Sequence, residues 1–205
     1  MRKIIFFLTI FLCSTNVSSN LDLRKYFKVD PPPHEDVAKM ARYIVHVSDW
    51  AGMATISTRQ GILGSPFANI FSVSDGTKKK STGVPYMYLT DLEMSVKDLK
   101  VDNRASITMS LAQTSFCKRH KYDPESPLCA HVVLTGNVEK VHTNSKEGRF
   151  AEKSLFTRHP EMPDWPKDHG WWFGKLNITE VCVLDYFGGA KYPTLKEYFK
   201  ADPLI

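Results

Sequence analysis

Residues 52–73 read GMATISTRQGILGSPFANIFSV, two apolar runs joined by a turn that contains two glycines. The first run, 52–58, and the second run, 65–73, have the length and composition of β-strands, and Gly61 and Gly64 are typical of the turn between such strands. This pattern predicts an antiparallel hairpin. The segments on both sides of the hairpin indicate what it packs against.

An amphipathic helix is predicted before the hairpin, at residues 34–47. Its apolar residues recur at the spacing of one helix face; they are Val37, Met40, Ala41, Ile44 and Val45. We expect this face to lie on a β-sheet.

Several further elements are predicted after the hairpin. Strands are expected at 86–90, 105–112, 131–141, 171–178 and 181–187, with helices at 95–101 and 146–159. Residues 75–83 read as a loop whose three lysines, 78–80, form a solvated hairpin tip, with an anion site as the alternative. Many short strands with few helices favour a mainly β fold, a closed or partly closed barrel of largely antiparallel strands.

The composition is that of a globular protein. Of the 205 residues, 42% are hydrophobic and 24% are charged, which excludes intrinsic disorder and collagen. We expect one domain at residues 34–205. It follows an N-terminal segment at 20–33 that ends in the hinge Pro31-Pro32-Pro33.

The first 19 residues have the pattern of a secretory signal peptide. Arg2 and Lys3 precede the apolar run 4–12, and small polar residues follow at 14–19. A membrane-spanning helix needs about 20 apolar residues, so we expect residues 1–19 to be removed and no membrane span to remain. Loss of Arg2 and Lys3 lowers the net charge of +5 by two. The mild positive charge that is left does not indicate a nucleic-acid partner.

Three cysteines remain after removal of the signal peptide. Cys117 and Cys129 flank a polar loop, and in an oxidising compartment we expect them to form a disulfide, which contributes about 3 kcal/mol for a loop of this size. A zinc site is the alternative, since Cys117-x-x-His120 and Cys129-x-His131 supply suitable ligands, although neither pair has the C-x-x-C spacing. Cys182 lies in an apolar run and is expected to be a buried thiol.

One further motif agrees with secretion. Asn177-Ile178-Thr179 is an acceptor for N-glycosylation, which we expect to be exposed and used. The sequence has no motif of a serine hydrolase, a zinc protease or a dinucleotide-binding protein. From the residues alone we therefore predict no catalytic residue and no metal site.

Longer strings resemble known families over nearly the whole chain after residue 19. The strings DWAGMATIS (49–57), YLTD (88–91), DLKVDNRASI (98–107) and LTGNV (134–138) are similar to the pyridoxamine phosphate oxidase-like, FMN-binding split barrels. The strings SPLCAH (126–131), RHPEM (158–162), KLNIT (175–179) and VLDYFGG (183–189) resemble CREG, the secreted cellular-repressor glycoprotein family. The resemblance implies a split β-barrel that forms a homodimer with two clefts at the interface.

The resemblance also indicates where a flavin would bind. In the flavin-binding relatives, basic side chains near a strand-to-helix turn hold the FMN phosphate, and here Glu93 and Met94 stand in that turn. The residues left to form a cradle, with helix capping and surface solvation as their alternative roles, are Thr90, Ser95, Lys97 and Arg104. We expect no bound cofactor, and the long insertion 116–128 is hypothesised to reach into or beside the cleft.

The function implied by the resemblance to CREG is non-enzymatic. It is that of a dimeric glycoprotein, secreted or in the endosomal and lysosomal lumen, that acts in growth and differentiation control by binding a receptor or another protein. Sorting by mannose-phosphate receptors, through the glycan on Asn177, is the implied partner interaction. The alternative is an FMN-dependent oxidoreductase of the pyridoxamine phosphate oxidase class. A haem-binding module is a minor third reading, because residues 98–106 also resemble the haem-utilisation branch of the split barrels.

Overall fold

A seven-stranded antiparallel sheet forms the centre of the computed structural model, which describes residues 30–204. The strands are β1 (Trp50–Ile56), β2 (Pro66–Ser72), β3 (Ser74–Thr77), β4 (Lys80–Leu89), β5 (Arg104–Ser110), β6 (His131–Lys140) and β7 (Trp172–Leu184). Their order is β2-β1-β5-β6-β7-β4-β3, and β2 and β4 approach each other because the sheet curls into a half-barrel. The predicted signal peptide and residues 20–29 lie outside the described residues.

Five α-helices accompany the sheet among residues 30–204. They are α1 (Val37–Val47), α2 (Met94–Leu99), α3 (Phe116–His120), α4 (Lys146–Arg158) and α5 (Leu195–Lys200). The predicted mainly β architecture with a few helices is confirmed. So are the hairpin of β1 and β2, in which Trp50 pairs with Ser72 and Ile56 with Pro66, and the helix at 146–159.

Helix α1 is enclosed more completely than its sequence pattern predicts. The apolar residues Met40, Ala41, Ile44 and Val45 are buried as expected, but every residue from 40 to 47 is buried. The helix contacts five strands of the sheet, β3 to β7, and α5. An enclosed helix has no face left for solvent, so its polar residues need partners inside the protein.

Some of those partners are charged groups from β3 and α4. The His46 Nδ1 atom lies 2.7 Å from Asp75 Oδ1, and Arg158 donates to the backbone oxygens of His46 at 2.7 Å and Ser48 at 3.1 Å. Burial works to raise the pKa of Asp75. The hydrogen bond from His46, helped by Ser81 and the Arg158 charge, outweighs burial, and the pKa lies below its ordinary value. These contacts join α1, β3 and α4 in the interior.

The prediction of a loop at 75–83 is wrong, and the same contacts explain why. The segment forms most of a hairpin of β3 and β4 that turns at Lys78 and Lys79. Asp75 reads as a turn residue, but its buried carboxylate holds it in a strand. The turn itself lies at the lysines, as predicted.

Three other predictions differ from the structure. The two strands predicted at 171–178 and 181–187 form one strand, β7. The register against β6 shifts between Thr135 and Gly136, and β7 accommodates the shift with one extra residue in a bulge, so the strand continues. The predicted cysteine loop contains α3. Helix α5 was not predicted, although Thr194 and Glu197 form a capping box at its start.

One face of the sheet carries small and polar side chains that are half-buried or exposed. Across β1, β5 and β6, Ala54 pairs with Ser106 and Ser106 with Thr135, and in the neighbouring row Gly52 pairs with Thr108 and Thr108 with Val133. We call this surface the outer face; it consists of Gly52, Ala54, Ser106, Thr108, Val133 and Thr135. The residues that alternate with these on β5, such as Ile107 and Met109, are buried in the core.

Candidate functional site

The turn into α2 is the place where the sequence predicts a degenerate phosphate site. Glu93 occupies it with its own carboxylate: Oε2 accepts from Val96 N at 3.0 Å, and Oε1 accepts from Asn69 Nδ2 at 2.7 Å. The carboxylate is therefore the anion at this helix start, where backbone N–H groups are otherwise free to bind one. A phosphate in the same position would meet a like charge.

The four predicted cradle residues do not line one common cavity, and they differ in their contacts. Thr90 is buried and donates from Oγ1 to the backbone oxygen of His169, which ties the end of β4 to the loop before β7. Ser95 is buried, and its Oγ has no hydrogen-bond partner among the described residues. Lys97 lies on the exposed side of α2 and lines a cavity that Thr90, Ser95 and Arg104 do not line.

Arg104, the fourth cradle residue, has a partner of its own. Its Nη2 lies 2.6 Å from Asp102 Oδ2, and its Nε lies 2.9 Å from Asp102 Oδ1. These hydrogen bonds lower the pKa of Asp102 to about 2. With the Arg104 guanidinium paired and Glu93 at the helix start, the residues present do not fit an FMN phosphate, and we derive no flavin chemistry from them.

Asp98 organises this region and was missed in the sequence. It is buried, its Oδ1 accepts from both N and Oγ1 of Thr58 at 2.7 Å, and its Oδ2 accepts from Thr55 Oγ1 at 3.0 Å. Burial works to raise the pKa of Asp98, but these hydrogen bonds outweigh it, and the pKa lies below its ordinary value. The carboxylate thereby fastens α2 to the end of β1. No local signal indicates this, because the partners lie about 40 residues earlier.

The predicted disulfide is confirmed. Cys117 and Cys129 are joined, with their Cα atoms 5.4 Å apart, so neither thiol is available for the alternative zinc site. Within the insertion 116–128, Phe116 and Tyr122 pack against the core. The backbone oxygen of Pro127 accepts a hydrogen bond from Tyr186 N at 2.8 Å. Residues 116–128 do not line the cavity beside α2, and the hypothesis that they reach a cleft between two subunits stays a prediction.

Asn177 lies exposed on β7. Its Nδ2 donates to Glu139 Oε1 at 2.9 Å, and Thr179 Oγ1 donates to the backbone oxygen of Thr135 at 3.1 Å. An exposed acceptor is compatible with a glycan, whose presence stays a prediction. Cys182 is half-buried, not fully buried as predicted, because it alternates along β7 with the buried Val181 and Val183.

Residues 30–204 contain neither a candidate membrane span nor a candidate metal site. In that part of the chain no helix has the length and apolar character needed to cross a membrane. The same residues contain no group of three His, Cys, Asp or Glu side chains that is arranged to hold a metal ion.

The curled antiparallel sheet with its enclosed helix has a split-barrel fold, which it shares with solved structures of low sequence identity. A heme binding protein from Mycobacterium smegmatis superposes with a TM-score of 0.64 at 19% identity, covering 85% of this chain and 63% of that longer one. A protein from Clostridium acetobutylicum, related to general stress protein 26 and described as of the pyridoxinephosphate oxidase family, superposes with a TM-score of 0.54 at 14% identity, covering 82% of this chain and 99% of the other. At such identities these likenesses show the fold alone.

The sequence comparison is more specific. Residues 32–200 match the family described as CREG, beta-barrel. Protein CREG1 of Gallus gallus is 55% identical over 174 residues, which cover 84% of this chain and 90% of that protein. Protein CREG1 of Homo sapiens is 54% identical over 168 residues, which cover 82% and 76% of the two chains. The chain belongs to the CREG family, and the resemblance found in its sequence is confirmed.

Proposed function

We propose that this chain is a secreted, endolysosomal glycoprotein of the CREG type that acts in growth and differentiation control by binding a receptor or another luminal protein. It keeps the fold of a flavin protein without the flavin and catalyses no reaction. Membership of the CREG family supports the first part. The second part rests on the residues of the α2 turn.

The observation that carries the proposal is the double role of Glu93. Its carboxylate both caps α2 and accepts from Asn69, so moving it aside for a phosphate would break two hydrogen bonds at once. A phosphate that entered without moving it would face a negative charge across a few ångströms, which is unfavourable even near the surface. Arg104 is already paired with Asp102 and does not offset that repulsion.

Flavin loading tests this proposal. Protein secreted by a eukaryotic host is incubated with excess FMN, passed through gel filtration and examined by visible absorption, with riboflavin as the control ligand that lacks the phosphate. We expect a colourless protein in both cases. Retention of FMN at one flavin per subunit would favour the oxidoreductase alternative and overturn the proposal.

We further propose that two copies of the chain associate through the outer face. The face extends across β1, β5 and β6 and carries mostly small side chains that let a second sheet approach closely. The substitution Thr108→Arg places a long cation at its centre, whereas Thr157→Arg alters an exposed threonine on α4. In sedimentation equilibrium we expect T108R to be monomeric and both T157R and the wild type to be dimeric. A monomeric wild type would contradict the proposal.

Sorting to lysosomes is proposed to depend on a phosphorylated glycan at Asn177. Two variants separate the glycan from the side chain that carries it: Asn177→Gln removes the acceptor, and Thr179→Val removes the motif but leaves Asn177 and its contact with Glu139. We expect both variants to lose the same mass on a gel and to lose binding to a mannose-phosphate receptor. If the wild type keeps its gel mobility after glycosidase treatment, the site is not used.

A further inference from the structure

A cavity of about 220 Å³ lies between the loop of the β1–β2 hairpin and α2. Its walls combine two basic side chains with three apolar ones and a single acid. We call it the hairpin cavity; its main lining residues are Arg59, Ile62, Phe67, Met94, Lys97 and Asp98. The cavity borders the turn where the phosphate site was predicted: Met94 and Lys97 line it, whereas Thr90, Ser95 and Arg104 do not.

The two cations of the hairpin cavity lack a counter-ion within the described chain. The side chains of Arg59 and Lys97 make no hydrogen bond or ion pair with another residue of 30–204. Asp98, the acid in the wall, directs both carboxylate oxygens at Thr55 and Thr58. By contrast, Arg104 and Arg158 each have an acidic partner. Two cations that converge on one cavity without a partner indicate an anion as the missing component.

The rest of the wall is apolar. Ile62 and Phe67 come from the hairpin, and Met94, which is 42% exposed, comes from the first turn of α2. An inorganic anion would leave these side chains in contact with water. A ligand with an apolar body would cover them and gain the free energy of that burial.

The frame of the cavity is fixed before any ligand arrives. Backbone hydrogen bonds from Ser57 N to Ser65 O at 2.9 Å and from Gly64 N to Ser57 O at 2.8 Å close the hairpin loop. Asp98 fastens Thr58, next to Arg59, to α2. Because the backbone on both sides is held, binding requires only the ordering of the Arg59 and Lys97 side chains, which keeps its entropic cost low.

We propose that the hairpin cavity binds a small organic anion, a carboxylate or phosphate monoester carried on a compact apolar body. The Arg59 guanidinium matches two oxygens of either head group, and Lys97 supplies a second charge. The cavity is smaller than the ~300–1,000 Å³ of sites for drug-sized ligands, which favours a ligand with one ring over a flavin or dinucleotide. This inference does not depend on the proposed receptor-binding function.

The test uses protein whose methionine methyl groups carry carbon-13, titrated with phenyl phosphate and with benzoate. Met94 reports on the cavity, and the buried Met53 and Met87 serve as internal controls. We expect the Met94 signal to shift in a saturable way and the control signals to stay in place. The anion that binds more tightly identifies the preferred head group.

Variants and control ligands decide whether the interaction is the proposed one. Arg59→Met and Lys97→Met are each expected to weaken binding about tenfold, as for the loss of a hydrogen bond between charged groups. Lys100→Met, which removes a lysine paired with Asp91 at the end of the same helix, is expected to leave binding unchanged. Benzyl alcohol, which lacks the charge, and inorganic phosphate, which lacks the ring, are expected to bind more weakly than phenyl phosphate.

Four outcomes would overturn the proposal. If Met94 shows no saturable shift with either anion, or if K100M weakens binding as much as R59M and K97M do, the hairpin cavity is not the binding site. If benzyl alcohol binds as tightly as phenyl phosphate, the charge is not recognised. If inorganic phosphate binds as tightly as phenyl phosphate, the apolar body is not recognised.

Discussion

Around α1, charged groups lie in the interior and meet partners there, whereas beside α2 two cations, Arg59 and Lys97, lie near the surface and meet no partner within residues 30–204. His46 and Asp75 form a buried pair, and Arg158 donates to backbone oxygens beside them. Beside α2, Glu93 serves its own helix, and Arg59 and Lys97 line a cavity without a counter-ion. The first arrangement fixes the fold and leaves nothing for a ligand. The second contributes less to the fold and leaves charge available for binding.

The largest effect is expected from Asp75→Asn, which keeps the shape of the side chain and removes its charge. The change leaves His46 and Arg158 without the buried carboxylate that faces them and is expected to cost about 3–5 kcal/mol of stability. Urea unfolding followed by circular dichroism measures it. The matched control is Asp49→Asn: Asp49 also faces Arg158, at 3.4 Å, but is 40% exposed. The control is expected to cost less than about 1 kcal/mol, and equal costs for the two variants would contradict the contrast between the regions.

A pH series sharpens the same comparison. The pKa values of Asp75 and Asp98 both lie below the ordinary value of 3.8. Because folding lowers these pKa values, the ionised carboxylates stabilise the fold at pH values above the ordinary pKa. This stability is lost as the pH falls from the ordinary pKa through the lower pKa of the folded protein. We expect the free energy of unfolding of the wild type to be nearly constant from pH 7 to pH 5, as far as these two groups are concerned, and to fall below about pH 4.

The variant Asp98→Asn is expected to fall less steeply in that acid range than the wild type, because it has one proton fewer to take up on unfolding. The cost of D98N at pH 7 is expected to be smaller than that of D75N, since its lost partners are neutral hydroxyl and backbone groups rather than charged ones. Thermal unfolding at pH 7, 5 and 3 provides the measurement. Parallel curves for D98N and the wild type would show that Asp98 is not held in its ionised form.

The smallest effect is expected at the α2 cap. Glu93→Ala removes the acceptor for Val96 N and is expected to cost about 1 kcal/mol, as for other N-caps. Ser145→Ala, which removes the cap of α4 by deleting the acceptor for Gly148 N, is the matched variant. Urea unfolding of both should give similar costs. An E93A protein as stable as the wild type would mean that the carboxylate is not tied to its helix and is free to move away from an incoming phosphate.

The parts of the fold that the sequence predicted are those with local signals. The β1–β2 hairpin follows from its glycines, and α4 follows from the spacing of its apolar residues. The strand β3 was missed because the partner that holds Asp75 in it, His46, lies 29 residues earlier. Helix α5 was missed although Thr194 and Glu197 carry a local signal.

The same difference between local signals and contacts of distant residues applies to the candidate site. The acid at position 93 could be interpreted from the sequence as unfavourable for a phosphate, since that argument needs only the residue and its place in the turn; the absence of a bound phosphate stays a prediction. Arg59 was not considered, because only the folded chain brings the hairpin loop beside Lys97. Arg104 was expected near a cofactor, but its neighbour Asp102, two residues away, already neutralises it.

The enclosure of α1 has a consequence for the timing of synthesis. The helix leaves the ribosome before every strand that surrounds it, and Tyr198 of α5, whose hydroxyl donates to Gly83 O at 2.7 Å, is among the last residues to close over the same interior. At about 5–20 residues per second, α5 follows α1 by roughly 7–30 s. During that interval the apolar side chains of Ile44 and Val45 lack the elements that cover them in the folded protein. The nascent chain is therefore expected to need protection from aggregation until its last helix has emerged.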